Sequence, residues 1–245
     1  MDAVQRLHGA VDSQLVDEDG HEVVVELRPP VPESEVATLR AFYPVPLPAE
    51  LVRLLAVTRG AEALLDLDLT GRDHSVELAE LMPAGLPIAG DGFGNFWVLD
   101  LTPDTVEVAP VFFHCHDAPV LLYQAPDLAT FLDEVVKKYV PPHASLVDDV
   151  HEDRLYDVWR TKPGAMTQVA ALSSPDLALR EFAETLDPAW TIVDLRQRQV
   201  GMGLAWGAHG PRTRLARHGW ERIFGYAPFE KPRRTWRRFG RRARA

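Results

Sequence analysis

Apolar residues recur at helical intervals in four stretches of the chain. In 33–42, Val36, Leu39 and Phe42 share a face, and in 48–60 Leu51, Leu54, Leu55 and Thr58 do. Pro48 suits a first helical turn and Gly60 a C-cap. In 126–139, Leu128, Phe131, Leu132, Val135, Val136 and Tyr139 form the stripe, with Lys137 and Lys138 placed to complement the helix dipole. In 174–186, Ser174 and Pro175 open a helix that turns Leu179, Phe182, Ala183 and Leu186 inward. Elsewhere the period is two. Leu and Asp alternate over 64–69, which predicts a strand with Leu65, Leu67 and Leu69 toward a core and Asp66 and Asp68 toward water. The segments 21–28, 95–100, 106–113, 120–123 and 190–195 also read as strands, and 213–217 with 223–226 as a hairpin around His218-Gly219 with its arginines on the wet face. A short helix or turn fits 75–81, and a turn-rich connection fits the four glycines of 201–210.

The segment 86–100, Leu-Pro-Ile-Ala-Gly-Asp-Gly-Phe-Gly-Asn-Phe-Trp-Val-Leu-Asp, is the most informative. Asp91-Gly92 between two apolar runs is a hairpin signal, because glycine reaches positive φ without a Cβ clash. A phosphate loop would need a preceding strand, a following helix and a nearby Lys. Here a strand follows and no Lys is near. A Leu-Pro start, a short helix ending in Gly60, the Pro87-Ile88-Ala89 to Asn95 turn and a closing amphipathic helix occur in that order. Together they resemble the SMI1/KNR4 family, also called SUKH, over about 33–139. Arg59 stands where the family often has Asn, and Asn95 where Asp is also common; Asn and Asp are expected to serve the turn alike. The resemblance implies an α+β fold, a mostly antiparallel curved sheet packed with helices. After it come a small α+β unit at 151–230 and a basic tail, while 1–32 read as an N-terminal segment.

Charge sharpens this division. Residues 1–150 carry 8 Lys and Arg against 26 Asp and Glu, a balance of −18, and residues 151–245 carry 18 against 10, a balance of +8; together they give the chain's −10. The acidic part repels phosphates, which argues against DNA as its ligand. The tail from Lys231 to Ala245 holds eight basic residues and no acid, reads as disordered, and suits weak contact with phosphate or anionic lipid. Trp236 and Phe239 within it suit an interfacial helix. No apolar run approaches the ~20 residues of a membrane span, the first residues lack a signal-peptide pattern, and the single Cys115 has no partner for a disulfide. These point to a reducing cytosol.

Candidate chemistry is sparse. His114 and His116 share a strand face with a metal-ligand spacing, but a site needs further ligands, and the chain has no second Cys. The Asp148–Asp149 and His151–Asp153 cluster reads as a solvated loop after a proline break. Trp206, His209, His218, Trp220, Arg212, Arg214 and Arg217 would suit a nucleic-acid surface, against the simpler hairpin reading. No triad, paired catalytic carboxylates or cofactor fingerprint is present, so no enzyme and no cofactor is expected. For bacterial members the family resemblance implies a protein-binding immunity role against a cognate toxin. Alternation and charge then nominate Asp66, Asp68, Asp73, Glu77, Trp97 and Asp117 as exposed partner contacts. An alternative is a regulatory or scaffolding module anchored by its tail.

Overall fold

The computed structural model describes residues 1–71 and 76–229, with the backbone alone for 76–78. Helices α1 (Ala3–Val11), α2 (Glu33–Phe42) and α3 (Ala49–Leu55) alternate with the short ribbons β1–β2 (Leu15–Val16, Glu22–Val23) and β3–β4 (Gly60–Ala61, Leu67–Asp68). After α4 (Val76–Leu81), strands β5 (Gly85–Gly90), β6 (Phe96–Asp100), β7 (Val111–Cys115) and β8 (Val120–Ala125) form an antiparallel meander, closed by α5 (Leu128–Lys137). Then come α6 (Leu146–Asp148), a π-helical turn (Asp149–Arg154) and α7 (Leu155–Thr161), followed by β9 (Met166–Thr167), α8 (Gln168–Leu172), α9 (Leu177–Glu184) and β10 (Thr191–Asp194). The last strands are β11 (Gly203–Leu204), β12 (Arg214–Arg217) and β13 (Ile223–Ala227). The expected α+β architecture is present.

Two sheets organise the molecule, in the orders β11-β8-β7-β6-β5 and β12-β13-β10-β9. Alternation along each strand of the first sheet divides its side chains between two cores. Trp97, Leu99, Val111, Phe113 and Leu122 face the helical layer, where Leu7, Leu51, Leu54 and Phe131 are buried. Val98, Phe112, Leu121 and Tyr123 face the second sheet, against Val193, Phe224 and Tyr226. The first sheet is therefore covered on both faces. Its fifth strand, β11, comes from the C-terminal part and pairs Gly203 with Leu122 and Leu204 with Leu121.

The helical layer is fixed at its polar ends. Glu50, buried at the start of α3, accepts the N–H groups of Leu128 (3.0 Å) and Ala129 (3.1 Å), two orphan donors of α5. Asp127 accepts a third, from Thr130 (2.7 Å). Burial pushes the Glu50 carboxyl above its ordinary value despite these donors. Glu50→Ala is expected to lower stability by about 1–3 kcal/mol in urea melts, because it leaves two buried donors unanswered.

Several expected elements shift for identifiable reasons. Residues 1–32 include α1, capped reciprocally by Asp2 and Gln5, with Leu7 fully buried and Arg6 paired to Asp133 of α5 at 2.5 Å. The strand at 21–28 contracts to β2. The strand expected at 106–113 starts only at Val111, and Val106 and Val108 are exposed. The carbonyls of Val106 and Glu107 are used instead to accept the first N–H groups of α3, at 2.8 and 3.0 Å. Phe42 is exposed at the end of α2. The α9 cap is Asp176 rather than Ser174. Arg217 does not face water: its guanidinium forks onto Asp100 at 2.7 and 3.0 Å, joining the two sheets. Trp206 is buried too, so the aromatic and basic residues of 206–220 form no common nucleic-acid face. The expected tail lies outside the described residues.

Candidate partner-binding surface at the turn end of the sheet

The turn joining β5 to β6 is built around one carboxylate. Asp91 Oδ1 accepts the N–H groups of Phe93 (2.8 Å) and Asn95 (3.1 Å), and Oδ2 accepts the Asn95 side-chain amide (2.6 Å). Gly92 and Gly94 sit at φ of 80° and 92°, the left-handed region glycine enters freely. His151, on the π-helical turn, adds a contact from Nε2 to Asp91 Oδ2 at 3.1 Å. Burial pushes the Asp91 carboxyl up, but hydrogen bonds from Asn95, Phe93 and His151 outweigh it and hold the group below its ordinary value. Asn95 also accepts the His116 N–H at 3.0 Å, tying this turn to the one between β7 and β8. Asp at 95 would place a second carboxylate against Asp91 and offer no donor, so Asn and Asp are not interchangeable here.

Asp91→Ala is expected to cost about 1–3 kcal/mol at neutral pH, since the partly buried donors of Asn95 and His151 lose an ionised acceptor. The carboxyl's native value is depressed, so its contribution is fully present above its ordinary value of 3.8 and is lost as pH falls through the native value. The stability gap between wild type and Asp91→Ala, read from urea melts across pH, should therefore close only below 3.8.

Beside this turn sits the β3–β4 ribbon, docked by the Gly90 N–H on the Leu65 carbonyl at 3.1 Å. Leu65 and Asp66 both adopt positive φ, 54° and 43°. A left-handed leucine is unusual and is sustained by surrounding contacts. The reversal breaks the expected alternation: Leu64, Leu67 and Leu69 are buried, whereas Leu65 is only partly so. Arg28 gathers the acids of the ribbon, with Glu62 at 3.4 Å, Asp66 at 3.2 Å and Asp68 at 3.7 Å. A cleft of ≈ 590 Å³ lined by Val24, Glu26, Leu27, Arg28, Glu62 and Ala63 adjoins them.

The nominated residues thus separate. Asp66 and Asp68 are half-buried on the ribbon, held by Arg28. Asp117 is exposed, its side chain 74% accessible, and touches His116 at 3.3 Å. Trp97, expected at the surface, is 1% exposed instead: it faces the helical core, donates its indole N–H to Gln124 at 3.2 Å and packs on Phe113 and Phe131. Its face of the sheet is covered by helices, so it is not open to a partner. Asp73 lies outside the described residues, and the side chain of Glu77, on α4, does too.

Sequence reasoning passed over Phe93, which is 79% exposed at the tip of the turn. Its position between two positive-φ glycines was the available signal. It also passed over Tyr156 and Trp159 on α7, because the acidic run before them read as a loop. In the structure that run is helical, with Val147, Val150, Leu155 and Val158 buried. With Asp91, Asn95, Asp117 and His151, these aromatics line a cavity of ≈ 380 Å³.

His114 is buried and stacked on Trp206, centroids 5.4 Å apart and planes 5° from parallel, while His116 turns Nδ1 to Asn95 at 2.9 Å. The Cys115 thiol is buried, which pushes its pKa above the ordinary value and disfavours the thiolate. Among the described residues, Asp17, Asp19 and His21 lie close enough together to ligate a metal. Their carboxylate contacts are those of the exposed β1–β2 turn, where Asp17 accepts the His21 N–H at 2.8 Å. Among the described residues no helix is long and apolar enough to cross a membrane.

Residues 30–134 match the model of the SMI1 / KNR4 family (SUKH-1). Neither the curated proteins nor the solved structures include a match.

Proposed function

On the premise that residues 30–134 are an SMI1/KNR4 (SUKH-1) domain, we propose that this chain is a non-catalytic, cytoplasmic protein-binding module that binds and neutralises a cognate protein toxin. The observation that carries the reading is Phe93, a large apolar side chain presented at the tip of a turn, beside a cavity that the exposed carboxylate of Asp117 also lines. A rigid apolar anchor within a polar rim is the anatomy of a protein interface. The −18 balance of residues 1–150 adds long-range attraction for a basic partner. A toxin acting on nucleic acid is basic where it meets its substrate, and an acidic surface competes for that site.

The test begins with capture on this chain from its host's lysate and secreted fraction, identified by mass spectrometry. The reading requires a protein that arrests growth when expressed alone and is harmless beside this chain. Protection should be lost with Asp66→Lys/Asp68→Lys. Recovery of membrane or nucleic acid alone, dependent on Lys231 to Ala245, would replace this reading with a tail-anchored regulatory module.

A further inference from the structure

The cavity beside Phe93 combines three features. Aromatic rings from two separate elements line it, Phe93 from the β5–β6 turn and Tyr156 and Trp159 from α7. Two carboxylates line it as well: Asp91, whose side chain is 5% exposed, and Asp117, which is open. Among the described residues, no Lys or Arg lines it. Its ≈ 380 Å³ falls within the range of small-ligand pockets, about 300–1,000 Å³.

These features differ in what they offer. Asp91 spends its lone pairs on Phe93, Asn95 and His151, so it supplies a fixed negative field rather than a direct contact. Asp117 meets His116 through Oδ1 at 3.3 Å and has an exposed carboxylate to offer a planar fork. The ring faces attract a cation that has partly left water. One face of the Tyr156 ring already meets the Arg160 guanidinium, 5.6 Å from its centre, which leaves its other face, Phe93 and Trp159 to an incoming cation. A planar, weakly hydrated guanidinium satisfies carboxylate and ring together, whereas a compact ammonium serves only the charge.

We infer that this cavity receives an arginine side chain of the partner, the guanidinium meeting Asp117 and stacking among Phe93, Tyr156 and Trp159. The inference rests on the protein-binding reading above and names the partner's anchoring residue. Its test needs no partner. Amide and indole NMR spectra of the full chain are recorded while a short glycine peptide carrying one arginine is added, then its lysine and citrulline counterparts. The Trp159 indole, assigned with Trp159→Phe, and the Asp117 amide should shift saturably with the arginine peptide. Lysine should bind more weakly and citrulline not at all. Phe93→Ala and Asp117→Asn, both at exposed positions, should each weaken binding by about 3- to 30-fold. Equal shifts with citrulline, or no shift at these two positions, would overturn the inference. So would binding that emerges only when residues 230–245 are removed, which would assign the cavity to the chain's own arginines. A toxin still neutralised in an Asp66- and Asp68-dependent way alongside a silent peptide would remove the arginine pocket and leave the protein-binding reading standing.

Discussion

Asp100→Ala should lower the unfolding free energy by about 3–5 kcal/mol, the usual cost of removing one partner from a buried ion pair. Asp100 is fully buried at the end of β6 and faces two cations. Arg217, its side chain 3% exposed, binds both carboxylate oxygens, and Arg222 Nε lies 2.7 Å from Oδ2. Arg217 also donates to the Leu81 carbonyl at 3.1 Å, so it reaches back to α4. Burial lowers the Arg222 ionisation from its ordinary value, with Asp100 opposing that shift. Without Asp100, two guanidinium groups would remain between the sheets with no carboxylate between them. The cost comes from that stranded charge rather than from a large net value of the intact pair. The variant Asp100→Leu/Arg217→Met should therefore recover part of the loss, as apolar replacements of buried pairs do. Urea melts with fitted m-values check both statements, and an Asp100→Ala variant within about 1 kcal/mol of wild type would contradict them.

Gly203→Ala should cost about 1–3 kcal/mol, the range for forcing extra volume into a packed site. A Cβ there would lie 2.1 Å from the Leu121 carbonyl oxygen and 2.9 Å from the Leu122 Cα, and backbone atoms have little room to yield. The change is expected to pull β11 from β8. The adjoining bonds, Tyr123 N–H to Met202 (2.7 Å) and Gly201 N–H to Tyr123 (2.9 Å), should weaken with it. Hydrogen exchange then gives a local readout: the amides of Tyr123 and Gly201 lose protection while those of β6 keep theirs. Uniform loss along the whole sheet, or none, would show that β11 is not seated as described.

The helices α2, α3 and α5 and the strands β6 and β8 were legible because each announces itself within its own residues, by an apolar stripe or by alternation bounded by turn chemistry, whereas β7 was expected five residues too early because Val106 and Val108 continue its alternation. The hairpin turn was legible for the same reason, since its glycines and Asp91 act locally. What escaped depends on partners far along the chain. Two-residue β11 has no period of its own, and only its docking on β8 makes it a strand. Trp97 looked available because alternation tells which residues share a face, not what covers that face. Two left-handed residues, Leu65 and Asp66, undid the Leu-Asp alternation; Asp enters that region more readily than most residues, but a leucine gives no signal of it. His151 reads as one member of an acidic run until the fold brings it to Asp91, sixty positions earlier. The acidic ribbon was found through Asp66 and Asp68, but Arg28, which organises it, comes from a segment with no visible link to it.

The most direct test of the central claim is a calorimetric titration of the captured toxin into this chain and into Asp66→Lys/Asp68→Lys, at low and at about 0.5 M salt. An acid-faced interface predicts one-to-one binding that weakens with salt and is lost on charge reversal, measured where urea melts show each chain still folded, since the reversal also removes the partners of Arg28. Binding indifferent to salt and to the reversal would place the partner elsewhere on the molecule and contradict the account.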